Sequence, residues 1–285
     1  MNRRDFIRYG SAAAAAMGLR PFPHALYAAD RKKMAQDRVT LGRTSVTVSR
    51  LAQGTGTHGW AHMSNQTRQL GRQGLADLLA AGVDNGLNFW DLADQYGTHP
   101  HAATALKTVK RDRVVIMSKT HASSEAEMRQ DLDRFRQELG TDYIDVLLLH
   151  CMTSADWPQQ KAGAMAVLAD AKAKGIIHAH GVSCHDLGAL KVAAESDWVD
   201  VDLARLNPVG AEMDADPATV ISVLRRMKQK GKGVIGMKIL GEGQLASQLD
   251  MAIQHAVGLD CIDGFTIGFT STTQLDQVTE RIATV

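Results

Sequence analysis

The sequence predicts an α/β chain whose main body is a (β/α)8 TIM barrel preceded by an N-terminal β-hairpin. Three observations predict it. Short apolar runs recur at about 50–53 and then at 87–91, 114–119, 144–150, 176–183, 201–206, 233–238 and 264–269, with starts about thirty residues apart from the second onward. Most of these runs are continuously apolar, as strands covered on both faces are. Helical patterns lie between them, and eight such units fit the usual size of a closed barrel. A doubly wound open sheet is the alternative, but it more often uses fewer strands and divides the chain less evenly.

The first residues differ from the rest. "NRRDFIRYGSAAAAAMGL" places Arg3 and Arg4 just before Phe6, and an alanine run and "PFPHALYAAD" follow. This order resembles a twin-arginine export signal over residues 1–29, with cleavage near Ala28 and Ala29. The resemblance implies the Tat export machinery as a partner, a periplasmic location and passage of the protein already folded. The apolar run is too short for a comfortable membrane span, so no stable membrane insertion is expected. Removing four arginines and one aspartate with the leader takes the net charge from +1 to −2. With 32 basic and 31 acidic residues overall, the chain has neither a nucleic-acid footprint nor a polybasic membrane patch. The three cysteines, Cys151, Cys184 and Cys261, are widely spaced, predicting no disulfide framework and no bound metal.

The barrel region is expected over residues 38–285. In "RVTLGRTSVTVSR", Val39, Leu41, Val46 and Val48 alternate around a glycine-containing turn, which predicts the hairpin. "GTGTHG" follows, with Gly54, Gly56 and Gly59 at the spacing of a dinucleotide-binding fingerprint. That fingerprint should lead straight into a helix and reach an acid about twenty residues on. Here a helical pattern resumes only near Thr67 and the next strand-end acid is Asp91. A glycine-rich turn at the top of the first barrel strand is the better reading. "SSEAEMRQDLDRFRQELG" predicts a helix with a Ser124–Glu127 capping box, a stripe of Met128, Leu132, Phe135 and Leu139, and a stop at Gly140. "DPATVISVLRRMKQKG" repeats this logic with Asp216 as cap, Pro217 in the first turn and Gly231 at the end.

Barrel active sites lie at the C-terminal ends of the strands. The second, third and fourth strands end in "DLADQYG", "SKT" and "LLLHC", which put Asp91, Tyr96, Lys119 and His150 on one rim. Each has an ordinary structural use on its own: a helix cap, loop packing, a solvated lysine, a satisfied core histidine. Four from three consecutive strands make a site. Phosphate groups commonly sit on the loops after strands seven and eight. Those read "KILGEGQL" and "GFTSTTQL", so Gly241 and Gly243 allow close backbone approach and Ser271, Thr272 and Thr273 offer hydroxyls at a helix N-terminus.

Over nearly its whole length the chain resembles the aldo-keto reductase superfamily. The pattern D-x-A-x-x-Y-G is matched by Asp91, Ala93, Tyr96 and Gly97, the strand-end lysine by Lys119, and the histidine after "DVLLL" by His150. "GVSCH" and "MKILGEG" resemble segments of a bacterial group. The resemblance implies reduction of an aldehyde or ketone with NADP(H), or alternatively NAD(H). Tyr96 would be the general acid, Lys119 the group that lowers its pKa, Asp91 the support for Lys119, and His150 the donor that orients the carbonyl. It further implies a cofactor site of Gly54, Thr55, Gly56, Ser183, Cys184, Asn207, Lys238, Leu240, Gly241, Gly243, Gly268, Ser271, Thr272 and Gln274. Four positions, in three segments, depart from the family pattern. Cys184 stands where an asparagine usually binds the carboxamide, Leu203 and Leu206 replace an amide and a stacking aromatic, and Gln274 stands where an arginine often meets a 2′-phosphate. The last weakens NADP(H) preference. His58, Trp60 and Trp90 are expected to line an open mouth suited to a carbonyl compound, sugar-derived ones included. Two rivals remain open: a Schiff-base aldolase or lyase using Lys119, and a non-catalytic barrel with a degraded nicotinamide site.

Overall fold

The computed structural model describes residues 32–285; the leader predicted over 1–29 lies outside the described residues. Ten strands and nine helices follow in order among the described residues. Strands β1 (Arg38–Thr40) and β2 (Thr47–Ser49) pair antiparallel, with Val39 opposite Val48. The other eight strands are β3 (Leu51–Gly54), β4 (Phe89–Asp91), β5 (Val115–Thr120), β6 (Ile144–Met152), β7 (Ile177–Cys184), β8 (Val201–Arg205), β9 (Gly233–Met237) and β10 (Gly264–Gly268). They pair parallel in sequence order, and β10 closes the ring onto β3 with Phe265 opposite Leu51.

The helices lie between strands: α1 (Asn65–Asp84), α2 (His99–Ala105), α3 (Glu125–Leu139), the short α4 (Trp157–Gln160), α5 (Ala162–Ala173), α6 (Leu187–Glu195), α7 (Pro217–Gln229), α8 (Leu249–Gly258) and α9 (Thr272–Thr284). Helix α3 has the expected capping box, buried stripe and left-handed Gly140. Asp216 caps α7 by accepting from the Thr219 N–H. Helix α1 starts at a Ser64–Thr67 capping box and is interrupted at Gly71, whose φ is +61°.

Alternation along each strand divides the core in two. Odd-numbered positions on β4 and β5 and the matching ones elsewhere point into the lumen, where Ala52, Phe89, Met117, Leu148, Leu203 and Ile235 pack together. Leu41, Val46 and Val48 of the hairpin join this cluster and plug the end of the lumen at the strand N-termini. The other face of each strand packs against the helices. Among the described residues no helix is long and apolar enough to cross a membrane.

Candidate active site

At the opposite end of the lumen the apolar layers give way to polar side chains. Phe89 and Asp91 share one face of β4, Met117 and Lys119 one face of β5, and Leu148 and His150 one face of β6, so three polar groups continue three apolar columns. Tyr96 comes from the 3-10 turn Asp94–Tyr96 that follows β4. The Lys119 side chain is fully buried, pairs with Asp91, and donates to the Leu92 carbonyl at 2.8 Å. Its Nζ lies 4.9 Å from the centre of the Tyr96 ring. The Tyr96 hydroxyl is 3.4 Å from His150 Nε2. All four predicted residues therefore meet at one mouth.

The opening glycines explain how Tyr96 is held. A Cβ on Gly56 or on Gly59 would overlap the Tyr96 ring, from different edges. The turn that reads as a nucleotide fingerprint is thus a slot for a phenol. Gly54 packs on β10, where a Cβ would come within 2.8 Å of Thr266 Oγ1.

Electrostatics differ from the expectation at one point. The Tyr96 pKa is not lowered: burial holds it well above its usual 10, and Asp91 and Cys151 add to the effect. The physical reason is that the phenol is buried and the Lys119 ammonium, 4.9 Å from the ring centre, is already paired with Asp91, whose own charge opposes ionisation of the phenol. Burial, and then Lys119, His121 and His185, push the His150 pKa well below its ordinary value, so its imidazole is neutral at neutral pH.

A cavity of about 350 Å3 opens beside the four residues, and Asp91 and Tyr96 form part of its wall. Of the predicted cofactor residues, Gly54, Gly56, Lys238, Leu240, Gly243 and Gly268 line it, as does His58. Leu203 and Met237 supply apolar wall, and Lys238 pairs with Glu242 at 2.7 Å. Lys238 and Glu242 both have positive φ, at +56° and +55°, strain of the kind that collects at functional loops.

The sequence profile of the Aldo/keto reductase family matches residues 50–257. The chain belongs to that family. It is 25% identical over 201 residues to an NADH-specific methylglyoxal reductase of Escherichia coli (strain K12), covering 62% of this chain and 61% of that one. It is 23% identical over 222 residues to a D-threo-aldose 1-dehydrogenase of a Pseudomonas species, covering 66% of each. The matches thus span just under two thirds of these relatives. An aldo-keto reductase structure from Pseudomonas aeruginosa superposes with a TM-score of 0.73 at 22% identity, over 89% of this chain and 97% of that one. The holo form of a Bacillus halodurans aldo-keto reductase gives 0.69 at 16% identity, over 86% and 90%.

Several predicted residues of this aldo/keto reductase lie elsewhere. Trp90 is fully buried on the helix-facing side of β4, because Phe89 and Asp91 take the lumen side; it cannot line the mouth. Trp60 is 73% exposed beside the site and is not part of the cavity wall. Ser183 faces the lumen and accepts the Cys151 N–H at 2.9 Å, so Cys184 faces the helices, where its S–H donates to Asp202 at 3.3 Å; Cys184 is not positioned to meet a cofactor. Thr55 is buried and donates to the Asp91 carbonyl at 2.8 Å. Asn207 spends its amide on the loop, donating to Ala211 O and Lys238 O and accepting from the Ala211 N–H. Gly241, with φ of +54°, is a turn residue packed toward Ala211. Ser271 and Gln274 close the N-terminus of α9: Ser271 accepts the Gln274 N–H, and Gln274 accepts the Thr270 N–H. With the exposed Thr272, they stand outside the cavity wall. Leu206 is buried among the helix-side residues.

The sequence reading missed Arg205. It is on the lumen side of β8, two places after Leu203, and its guanidinium pairs with the fully buried side chain of Asp214. Strand alternation signals it. His121 and His185, each one place past a strand end, and Cys151, inside β6, also surround His150, but they share no spacing.

Proposed function

We propose that this chain reduces a small polar aldehyde or ketone, sugar-derived carbonyls included, with a nicotinamide nucleotide. The observation that carries this is the Tyr96 hydroxyl, 3.4 Å from His150 Nε2, on the wall of the cavity that the glycine loops of β3, β9 and β10 line. The relatives' names, methylglyoxal reductase and aldose dehydrogenase, support a small oxygenated substrate. The residues present fit the nucleotide. Gly243, with φ of +102°, has nothing within 4 Å of where a Cβ would stand, Lys238 offers a cation, and Leu203 and Met237 give flat apolar wall. A bound nicotinamide would supply the hydride. NADP(H) and NAD(H) are both accommodated in this reading, with Gln274 in place of a cation favouring the latter.

The side chains do the rest. Neutral His150 donates to the carbonyl oxygen and fixes its direction. As negative charge grows on that oxygen, Tyr96 gives up its proton to it. A raised phenol pKa does not prevent this, since an alkoxide is a far stronger base than a phenolate. Lys119, a short distance from the ring, offsets the charge left on the phenolate, and Asp91 keeps the ammonium in place. The Schiff-base alternative is disfavoured because Nζ of Lys119 is buried and held by Asp91 and the Leu92 carbonyl. Tyr96→Phe is expected to lower carbonyl reduction, read as loss of nicotinamide absorbance, by at least about 100-fold while leaving nucleotide binding intact. Retention of most of the parent rate would refute the role given to Tyr96.

We further propose export by the twin-arginine route to the periplasm with the nucleotide already bound. The paired arginines, apolar run and small-residue exit support it. Mass spectrometry of protein recovered from the periplasm is expected to find nucleotide, and a nucleotide-free folded protein would count against it.

A further inference from the structure

A second arrangement of side chains sits at the same mouth and shares only His150 with the carbonyl chemistry. His121, in the loop after β5, and His150 and Cys151, on β6, each place one ligand atom within 4.8 Å of the others. His185, just after β7, brings Nε2 to 3.8 Å from the Cys151 sulfur. His150 is almost completely buried, yet its Nδ1 has no hydrogen-bond partner, and neither does Nδ1 of His185. Cys151 is held at φ of +59°, with its N–H fixed to Ser183 Oγ, which pins the sulfur in this company.

The distances suit one ion. In a tetrahedral zinc site, Zn–S of about 2.3 Å and Zn–N of about 2.0 Å place the ligand atoms roughly 3.5 Å apart. The Cys151–His185 pair, at 3.8 Å, is within a few tenths of an ångström of that, and the His121, His150 and Cys151 atoms, within 4.8 Å of one another, need movements of about 1 Å, with His185 following its sulfur contact inward. Three of the surrounding cations have their own carboxylate, Lys119 with Asp91, Arg205 with Asp214 and Lys238 with Glu242, while Lys161 donates to the His121 carbonyl at 2.7 Å and to Ser123 Oγ at 2.7 Å, on the backbone side of His121. The contrast with a second cluster is informative. Asp94, His99 and Glu138 also converge, but His99 is bonded at both nitrogens, to Glu138 at 2.8 Å and Ser118 at 2.7 Å, and Arg134 bridges Asp94 and Glu138. That group is closed by its own ion pairs, whereas the one at the mouth has no carboxylate and has nitrogens left over.

We propose that His121, His150 and Cys151, with His185 as fourth ligand, bind a single thiophilic divalent ion of the Zn2+ class. A nitrogen–sulfur donor set selects such an ion over Mg2+ or Ca2+. On binding, the Cys151 thiol releases its proton to solvent and the sulfur bonds as thiolate. Binding itself is independent of the carbonyl-reduction reading. One consequence rests on that reading: an ion on His150 takes away the donor that orients the carbonyl, so metal and carbonyl substrate exclude each other.

The test uses the full chain, stripped with chelator and titrated with Zn2+ and with Co2+ in the absence of nucleotide. One equivalent is expected to bind, and the Co2+ form is expected to show thiolate-to-metal charge-transfer bands. Cys151→Ser should remove those bands, and Cys151→Ser and His121→Asn should each weaken Zn2+ binding by more than the roughly 10–100-fold typical of losing only an outer partner. Cys261→Ala, at a buried site away from the mouth, should change neither. Tyr96→Phe should bind metal as the parent does while losing reduction, which separates this proposal from the catalytic one. Absence of stoichiometric binding in the parent, or unchanged affinity in either Cys151→Ser or His121→Asn, would overturn it; His121 is exposed, so its variant folds independently of any burden at Cys151.

Discussion

Tyr96 owes its position to what two neighbours lack. Its ring lies where side chains on Gly56 and Gly59 would be, so the first barrel loop grips the phenol by backbone contact alone. Gly56→Ala and Gly59→Ala are each expected to push the ring away from His150. A displacement of about 1 Å at a reacting group costs on the order of 100-fold in rate, so kcat for carbonyl reduction should fall by at least about tenfold in both, with nucleotide affinity held in Gly59→Ala, whose glycine is outside the cavity wall. Steady-state kinetics with a parallel nucleotide titration would decide it, and full kcat in both variants would show that the slot does not position the phenol. The quartet itself was legible because each member ends a strand, and in a parallel barrel strand ends share a rim. Side-chain parity decides most of the other placements. Phe89 and Asp91 inward force Trp90 outward, Ser183 inward forces Cys184 outward, and the same count on β8 puts Arg205 inside after Leu203. Ser271 and Gln274 are ambiguous for a different reason: a hydroxyl or amide at a helix N-terminus serves a phosphate or the helix's own amides, and sequence alone does not say which.

Among the elements, the eight parallel strands were readable as continuous apolar runs because helices cover one face and the lumen covers the other. Helix α3 was readable to its caps because Ser124, Glu127 and Gly140 act within a few residues of themselves. The break at Gly71 in α1 and the short α4 carry no such local signature. The strand–helix interface holds one further consequence. Asp202 on β8 is fully buried, bonded to the Cys184 thiol through one oxygen and without a hydrogen-bond partner at the other. Burial pushes its pKa up to about 7, with the Asp214 charge adding. A carboxyl raised above its unfolded value of about 3.9 favours the fold below that value, and the contribution is lost as pH rises through about 7. The slope is at most about 1.4 kcal/mol per pH unit. Asp202→Asn carries no such charge. Its stability relative to the parent is therefore expected to improve as pH is raised from 5 to 8, as followed by urea unfolding at several pH values. A difference that does not change with pH would show that the carboxyl is ionised throughout.

On the scale of the whole molecule, the two ends of the barrel do different work. The end at the strand C-termini carries strained loops, buried charges and the cavity, all of which cost stability. The other end carries no catalytic group; the hairpin drives Leu41, Val46 and Val48 into the lumen beneath Val115 and Val201. Closure depends on this plug, because a lumen lined by Ala52, Ala179 and other small or branched residues would otherwise stand open to water at its base. The hairpin is tied to the barrel by backbone as well: the Arg43 N–H donates to the Gly231 carbonyl at 2.9 Å. Leu41 is completely buried, so Leu41→Ala removes a side chain from a packed site with little room to collapse. The expected cost is about 2–5 kcal/mol of folding stability. Since the lumen's apolar layers separate Leu41 from the quartet at the far mouth, kcat and nucleotide affinity at a temperature where the variant remains folded should match the parent. Urea unfolding beside steady-state kinetics tests both halves. A variant that keeps its stability would show that the hairpin is not a plug, and one that loses activity while folded would show that the base of the barrel communicates with its mouth.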